Sequence, residues 1–288
     1  MVRTCHLSIR RTARALAEPL SSVGRWVKPS APVAGLRRRH RPVADDPYLR
    51  QAIRDLCNDD RHRRHGHRMI RAALVREIRR PVARKTVARI MREEGLSRPR
   101  IWRRPHRPKR VARMRPSQPN RAWQIDMTSF QLSDLTPVFL VIVIDCCTRQ
   151  IAGWTLGRRC RASDWTSAVR MALESRGLTT KTACAGLTVR SDNGAQPCSK
   201  RFAEYLAGAG VKGEYTGYNA PDDNAHVERV IRTIKEEEIW LNGYDTLFEA
   251  QAALESYIHH YNVERLHSAL DYRTPDEFAA RSSTHLAA

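Results

Sequence analysis

From Ala122 onward the apolar residues fall into a pattern that few folds can accommodate. Trp123-Gln-Ile125-Asp126-Met127-Thr128 alternates as a half-buried strand does, and Val138 to Ile144 is a continuous apolar run suited to a buried strand. Ile151 to Leu156 forms a third strand pattern, joined to the second through Thr148-Arg149, so the three predict a meander. The order then changes to alternation. A helix is predicted near Ser163 to Ser175, a strand over Leu187 to Arg190, a helix over Lys200 to Ala209 and a strand over Val211 to Tyr215. Glycine, proline and asparagine mark a loop from Gly217 to Pro221. Asp223 or Asn224 then caps a long helix reaching about Leu241, and Thr246 to Tyr261 reads as another. Three consecutive strands followed by alternating helix and strand predict an α/β domain with a mixed five-stranded sheet and flanking helices.

The segment before Ala122 is different in kind. Residues 1–120 hold 33 Lys and Arg against 9 Asp and Glu, a surplus of 24, whereas residues 121–288 carry a net charge of −3. Such a basic half attracts a polyanion and releases its condensed counterions, so DNA is the expected partner. Within it, residues 1–44 read as a basic arm with two short helices between Leu7 and Lys28, a possible helix-turn-helix, followed by a proline-rich linker. Residues 45–98 read as helical. Asp45-Asp46-Pro47 starts a helix carrying Leu49, Ile53 and Leu56, a second runs from about Arg68 to Ile78, and a third from about Ala83 to Glu94 stops at Gly95. Arg84, Lys85, Arg89 and Arg92 lie on the third, which suits docking in a DNA major groove; a solvated basic helix is the alternative. Residues 99–119 form a Pro/Arg-rich linker and residues 120–280 the α/β domain.

Several classes of protein are disfavoured. No run approaches the ~20 apolar residues of a membrane helix, so no membrane partner is expected. Met1 to Leu20 is broken by Arg3, Arg10, Arg11, Arg14 and Glu18 and lacks the apolar core of a signal peptide. The seven cysteines contain no C-x-x-C pair and read as reduced structural thiols of a cytoplasmic protein. His62, His65 and His67 have no cysteine pair at zinc-finger spacing.

Three acids stand apart by placement. Asp126 lies within the first strand, Asp192 directly follows the fourth in Ser191-Asp192-Asn193-Gly194, and Glu228 sits early in the long helix. Phosphoryl transfer needs positioned metal ions more than a covalent intermediate, and magnesium favours a few carboxylates with water and phosphate oxygens. Each acid alone reads as a turn residue or a solvated helical glutamate; their joint placement points to a metal site. Glu228, Arg232 and Lys235 share one helix face, while Val227, Val230, Ile231 and Ile234 face the core. A Glu228–Arg232 surface ion pair is the plainer reading of that face. Asp145 and Asp222 read as structural, and Asn193 and Asn224 as turn or supporting residues.

These motifs together resemble the DDE transposases and integrases of the retroviral-integrase superfamily, and within them the OrfB transposases of the IS-three insertion sequences. Trp123-x-x-Asp126-x-Thr128 resembles the first motif, Ser191-Asp192-x-Gly194 the second, and Asp223-Asn224-Ala225-x-x-Glu228 followed by Lys235 the third, with 35 residues between the last two acids. Tyr261-Asn262, Arg265, His267, Leu270 and Thr274-Pro275 resemble the family's C-terminal ending, and Gly66 through Leu96 its helical DNA-binding segment.

The resemblance implies an RNase H-like catalytic core. It implies cleavage and 3′-hydroxyl strand transfer with Mg2+ or Mn2+, two ions held by Asp126, Asp192 and Glu228, and DNA contacts from Lys235 and Arg232. It also implies partners: the element's ends, a target duplex, an upstream OrfA product or fusion, and further copies of the chain, since two DNA ends must meet. The expected setting is a bacterial cytoplasm, on the nucleoid. Two other functions remain open at this point: a non-catalytic DNA-binding repressor and an RNase H-type nuclease, because a fold does not settle chemistry.

Overall fold

The computed structural model describes residues 46–62, 65–97, 116–216 and 224–284. The expected N-terminal arm, most of the 99–119 linker, Asp222 and Asp223 lie outside the described residues. From Pro47 onward the chain forms one compact unit.

Three helices come first: α1 (Pro47–Asn58), α2 (His67–Ile78) and α3 (Arg84–Glu93). Pro47 opens α1 at the position where its missing N–H costs nothing. Leu49, Ala52 and Ile53 of α1, Ile70 and Leu74 of α2, and Val87, Ile90 and Met91 of α3 are buried at three- and four-residue spacing and form a core of their own. Arg50 and Arg54 of α1 each reach Glu94 at 2.8 Å, tying α1 to the end of α3. Gly95, at φ +68°, ends that helix in a left-handed conformation natural only to glycine.

The second module is a single sheet in the order β3-β2-β1-β4-β5. β1 (Ala122–Gln131), β2 (Pro137–Asp145) and β3 (Ile151–Gly157) form an antiparallel meander, and β4 (Thr188–Ser191) and β5 (Lys212–Tyr215) add in parallel beside β1. This is the mixed five-stranded sheet with flanking helices that the alternation of strands and helices predicts. On one side α4 (Ala162–Ser175) and α5 (Lys200–Ala209) cover Trp123, Ile125, Val141, Val143 and Val189. Gly153 permits this approach: a Cβ there would lie 2.2 Å from the Ala168 carbonyl. On the other side α6 (Ala225–Ile234) and α7 (Leu247–Val263) cover Leu140, Ile142, Ile144 and Ile151. A 3₁₀ turn (Ser268–Leu270) and α8 (Pro275–Thr284) complete the described chain. Among the described residues, no helix is long and apolar enough to cross a membrane.

Two features depart from the expectation. The long helix holds its α form only to Ile234; Lys235–Ile239 is a π-helical turn. The widened turn lets consecutive acids find separate partners. Glu237 receives Arg265 at 2.7 Å and the Tyr257 hydroxyl at 2.9 Å, while Glu238 receives the Tyr244 hydroxyl at 2.9 Å. The expected cap is also different. Asn224 occupies the N-cap position of α6 but makes no capping bond; its side-chain amide donates to the Ile125 carbonyl at 3.3 Å.

Candidate active site

Strand geometry places two of the three acids. Gln124 pairs with Arg190 across parallel β1 and β4, so Asp126 and Asp192, each two residues further on, sit at the same level. They also share a face of the sheet. Gln124, Asp126 and Thr128 pair with Ile144, Ile142 and Leu140, whose side chains meet α6 and α7. Glu228 is exposed in the first turns of α6, on that same side, while Val227, Val230, Ile231 and Ile234 are buried beneath it as the helical spacing predicts.

What fixes α6 against β1 is a residue that sequence reasoning missed. Gln124 is 1% exposed, and its side-chain oxygen accepts the backbone N–H groups of His226 and Val227 at 3.0 and 3.1 Å. These are among the donors that a helix start leaves without partners. A side chain two residues before Asp126 thus caps the helix that carries Glu228. With the Asn224 bond to Ile125, it clamps the two elements together. The available signal is a polar residue at the same strand parity as Asp126, between two buried apolar ones.

The electrostatics link the acids. The Asp126 carboxyl is pushed up to about 6, chiefly by burial and then by the negative charges of Asp192 and Glu228. The Met127 N–H, donated to Asp126 Oδ1 at 2.7 Å, and the charge of Lys235 act in the opposite direction. Asp192 is exposed, and its Oδ1 accepts the Gly194 N–H at 3.2 Å. Asn193 donates to the Thr216 carbonyl at 2.8 Å, which fixes the loop after β4 to the end of β5. The acids and Lys235 therefore lie within one another's field. Among the described residues, however, no three His, Cys, Asp or Glu side chains stand close enough to hold one metal ion between them. The donor set has the hard-oxygen chemistry and shared negative field that suit a magnesium-like cation.

The other sequence candidates separate into two places. Arg232 lines a cleft of about 580 Å³ together with Glu228. Arg84, Lys85 and Arg92 are exposed on α3, in the helical module, while Arg89 is spent on Glu93 at 2.9 Å. Asp145 is structural: it is 1% exposed and accepts four N–H groups, from Asn120, Trp123, Cys147 and Thr148. The C-terminal ending is structural too. Asn262 binds both backbone groups of Ile151, Arg265 makes a two-pronged buried ion pair with Glu237, and Thr274 caps α8 by accepting the Glu277 N–H at 3.2 Å. Burial raises the cost of an unpaired Glu237, and Arg265 holds its carboxyl down to about 2.

Residues 116–219 and 209–275 match the integrase core domain, and residues 44–106 match an HTH-like domain. The transposase of insertion element IS904 from Lactococcus lactis is 31% identical over 166 residues, 57% of this chain and 63% of that protein. An uncharacterized 31.7 kDa protein of element IS407 from Burkholderia multivorans is 27% identical over 84% of both chains. Transposase InsF of IS3A from Escherichia coli is 29% identical over 56% of this chain and 54% of its own length. The match thus spans less than two thirds of the Lactococcus and Escherichia relatives. Among solved structures, the HTLV-2 integrase catalytic core domain in complex with magnesium is 16% identical over 56% of this chain and 97% of that one, with a TM-score of 0.42.

Proposed function

Because the chain belongs to the integrase-core transposases of the IS3 type, we propose that it is a DNA transposase that cleaves the ends of an insertion sequence and joins the freed 3′-hydroxyls to a target duplex. The observation that carries this reading is the placement of Asp126 and Asp192 at one level of β1 and β4 with Glu228 on the helix over the same face, and the charges of Asp192 and Glu228 add to burial in raising the Asp126 carboxyl. A carboxylate held in that field gains most from a divalent cation.

Asp126, Asp192 and Glu228 are the proposed ligands for two Mg2+ or Mn2+ ions. Such ions, when bound, supply activation of the attacking oxygen and stabilisation of the leaving one. The chain's own residues do the rest. Gln124 and Asn224 tie the start of α6 to β1, which positions Glu228 relative to Asp126. Asp126 must shed its proton before it can ligate, and Lys235 favours that loss. Arg84, Lys85 and Arg92 on α3 supply phosphate contacts along the bound DNA, with Lys235 and Arg232 at the element's end. Assembly of several copies on paired ends, and an OrfA partner or fusion, belong to the same proposal.

A nicking assay tests it without knowledge of the element's ends. Supercoiled plasmid and an RNA–DNA hybrid are incubated separately with Mn2+ and the purified chain. Nicking of the plasmid supports the reading. Cleavage confined to the hybrid would replace it with an RNase H-type nuclease, and tight, metal-indifferent DNA binding with no cleavage of either would replace it with a repressor.

A further inference from the structure

The cleft beside Glu228 has more positive charge than the proposed reaction has used. It opens between α6, the 3₁₀ turn and Met69 of α2, and its charged walls are Arg149, Arg229, Arg232 and Arg265. Arg265 is neutralised by Glu237. His267 also lines the cleft, but burial pulls it down to about 3, so its ring is neutral. Among the described residues no carboxylate forms an ion pair with Arg149, and Glu228 at the rim is the one acid lining the cleft.

Arg149 is the unusual member. It occupies the turn between β2 and β3 at φ +64°, a left-handed backbone that side-chain-bearing residues rarely adopt. Its Nη1 is buried with no hydrogen-bond partner. The carboxylate nearest in sequence, Asp145, is already engaged by four N–H groups. Burial loosens the guanidinium's hold on its proton and the charge of Asp145 only partly offsets this, so an anion reaching the exposed part of the side chain in the cleft would stabilise it further. Arginine presents its donors in a planar fork matched to phosphate oxygens, and Arg229 and Arg232 add two more along the same helix.

We propose that this cleft is a phosphate subsite holding one backbone phosphate of the DNA strand next to the bond presented to Asp126, Asp192 and Glu228. Arg149 forms its floor and Arg229 and Arg232 its walls. Glu228 lines the cleft and its charge acts on Asp126, so a strand held there lies beside the proposed acids. The inference rests on the DNA-transposase reading.

The test uses the full chain and a fluorescein-labelled duplex of about 30 base pairs, with binding read by anisotropy in EDTA. Arg149→Gly removes the guanidinium and suits the left-handed backbone, so it should melt no lower than wild type. Arg149→Lys keeps the charge. We expect Arg149→Gly to weaken binding about tenfold at about 50 mM salt. The deficit should shrink about threefold by about 200 mM, as loss of one phosphate contact lowers the salt slope by about one. Arg149→Lys should recover most of the affinity. An unchanged dissociation constant and salt slope in folded Arg149→Gly would overturn the subsite. If inorganic phosphate, at matched ionic strength, raises the melting point of wild type but not of Arg149→Gly while DNA affinity is unaffected, the cleft is a free-phosphate site and the DNA assignment falls. Strand joining by wild type is scored separately. Joining with no Arg149 effect sinks the cleft alone, whereas an Arg149 effect without joining sinks the transposase reading and the cleft's placement beside a reacting bond, leaving only a DNA-phosphate contact.

Discussion

Replacing Asp126 by Asn should make the metal-free protein more stable while removing its response to metal. The ordinary carboxyl value of 3.8 rises to about 6 in the folded protein. A shift of about two units corresponds to about 3 kcal/mol. Partial exposure of the side chain reduces this, and we expect Asp126→Asn to gain about 1–2 kcal/mol at neutral pH in EDTA. The sign follows from linkage. The folded chain keeps the Asp126 proton up to about pH 6, whereas the unfolded chain releases it near 3.8. Stability from this group is therefore complete below about 3.8 and lost as pH rises to about 6. Asparagine can still accept the Met127 N–H, so the local turn is kept. Urea unfolding of wild type and variant, from about pH 4 to pH 8, checks this. The variant's advantage should open between about pH 4 and 6 and level off above. Saturating Mg2+, at about 100 times its dissociation constant, should stabilise wild type by about 2.7 kcal/mol and the variant far less. A variant no more stable than wild type at neutral pH, with its metal response intact, would refute the argument that Asp126 sits in a shared acidic field.

Other perturbations address the scaffold. Gln124→Ala removes two bonds to the start of α6 and leaves buried N–H groups unpaired; we expect a loss of about 2–3 kcal/mol in urea unfolding and a larger fall in strand joining than in DNA affinity. Gly153→Ala forces a Cβ to within 2.6 Å of the Ala172 nitrogen, and calorimetry should show destabilisation of about 1–3 kcal/mol as α4 is pushed off β3. Arg265→Met strands the buried Glu237 carboxylate and should cost about 3–5 kcal/mol, part of which the double variant with Glu237→Met recovers. Unfolding at acid pH reads the same pair: Glu237's carboxyl is lowered from 4.5 to about 2, so its contribution is complete above about 4.5 and fades as pH falls toward 2.

Local pattern carries the architecture. The continuous run Val138 to Ile144 is the buried centre of β2, and Lys200 to Ala209 is α5 to the residue, because Ser199 caps it and Gly210 turns out of it at φ +76°. The side of the sheet that holds Asp126 follows from strand parity alone. What stays hidden depends on partners far apart in the chain. Gln124 meets His226 at a separation of 102 residues, and Arg265 meets Glu237 across 28. No window of periodicity reports such pairs, so although the polar parity of Gln124 is visible, its partner on α6 and the π turn at Lys235 are not. Arg149 reads there only as part of a turn, since neither its left-handed backbone nor its unpaired guanidinium leaves a mark in the residues around it. The residues beyond Tyr261 form a motif for which the sequence offers no reason, and the structure supplies one: Asn262 pairs with the β3 backbone and Thr274 caps α8.

Strand joining tests the central claim most directly. A labelled duplex carrying the element's own end is incubated with the full chain, target DNA and Mg2+ or Mn2+, alongside Glu228→Gln. The account predicts cleaved and joined products with wild type, none with the variant or with EDTA, and DNA binding nearly equal in both proteins. Joined products that persist in Glu228→Gln would contradict it, because the three acids would then not be the site of the chemistry.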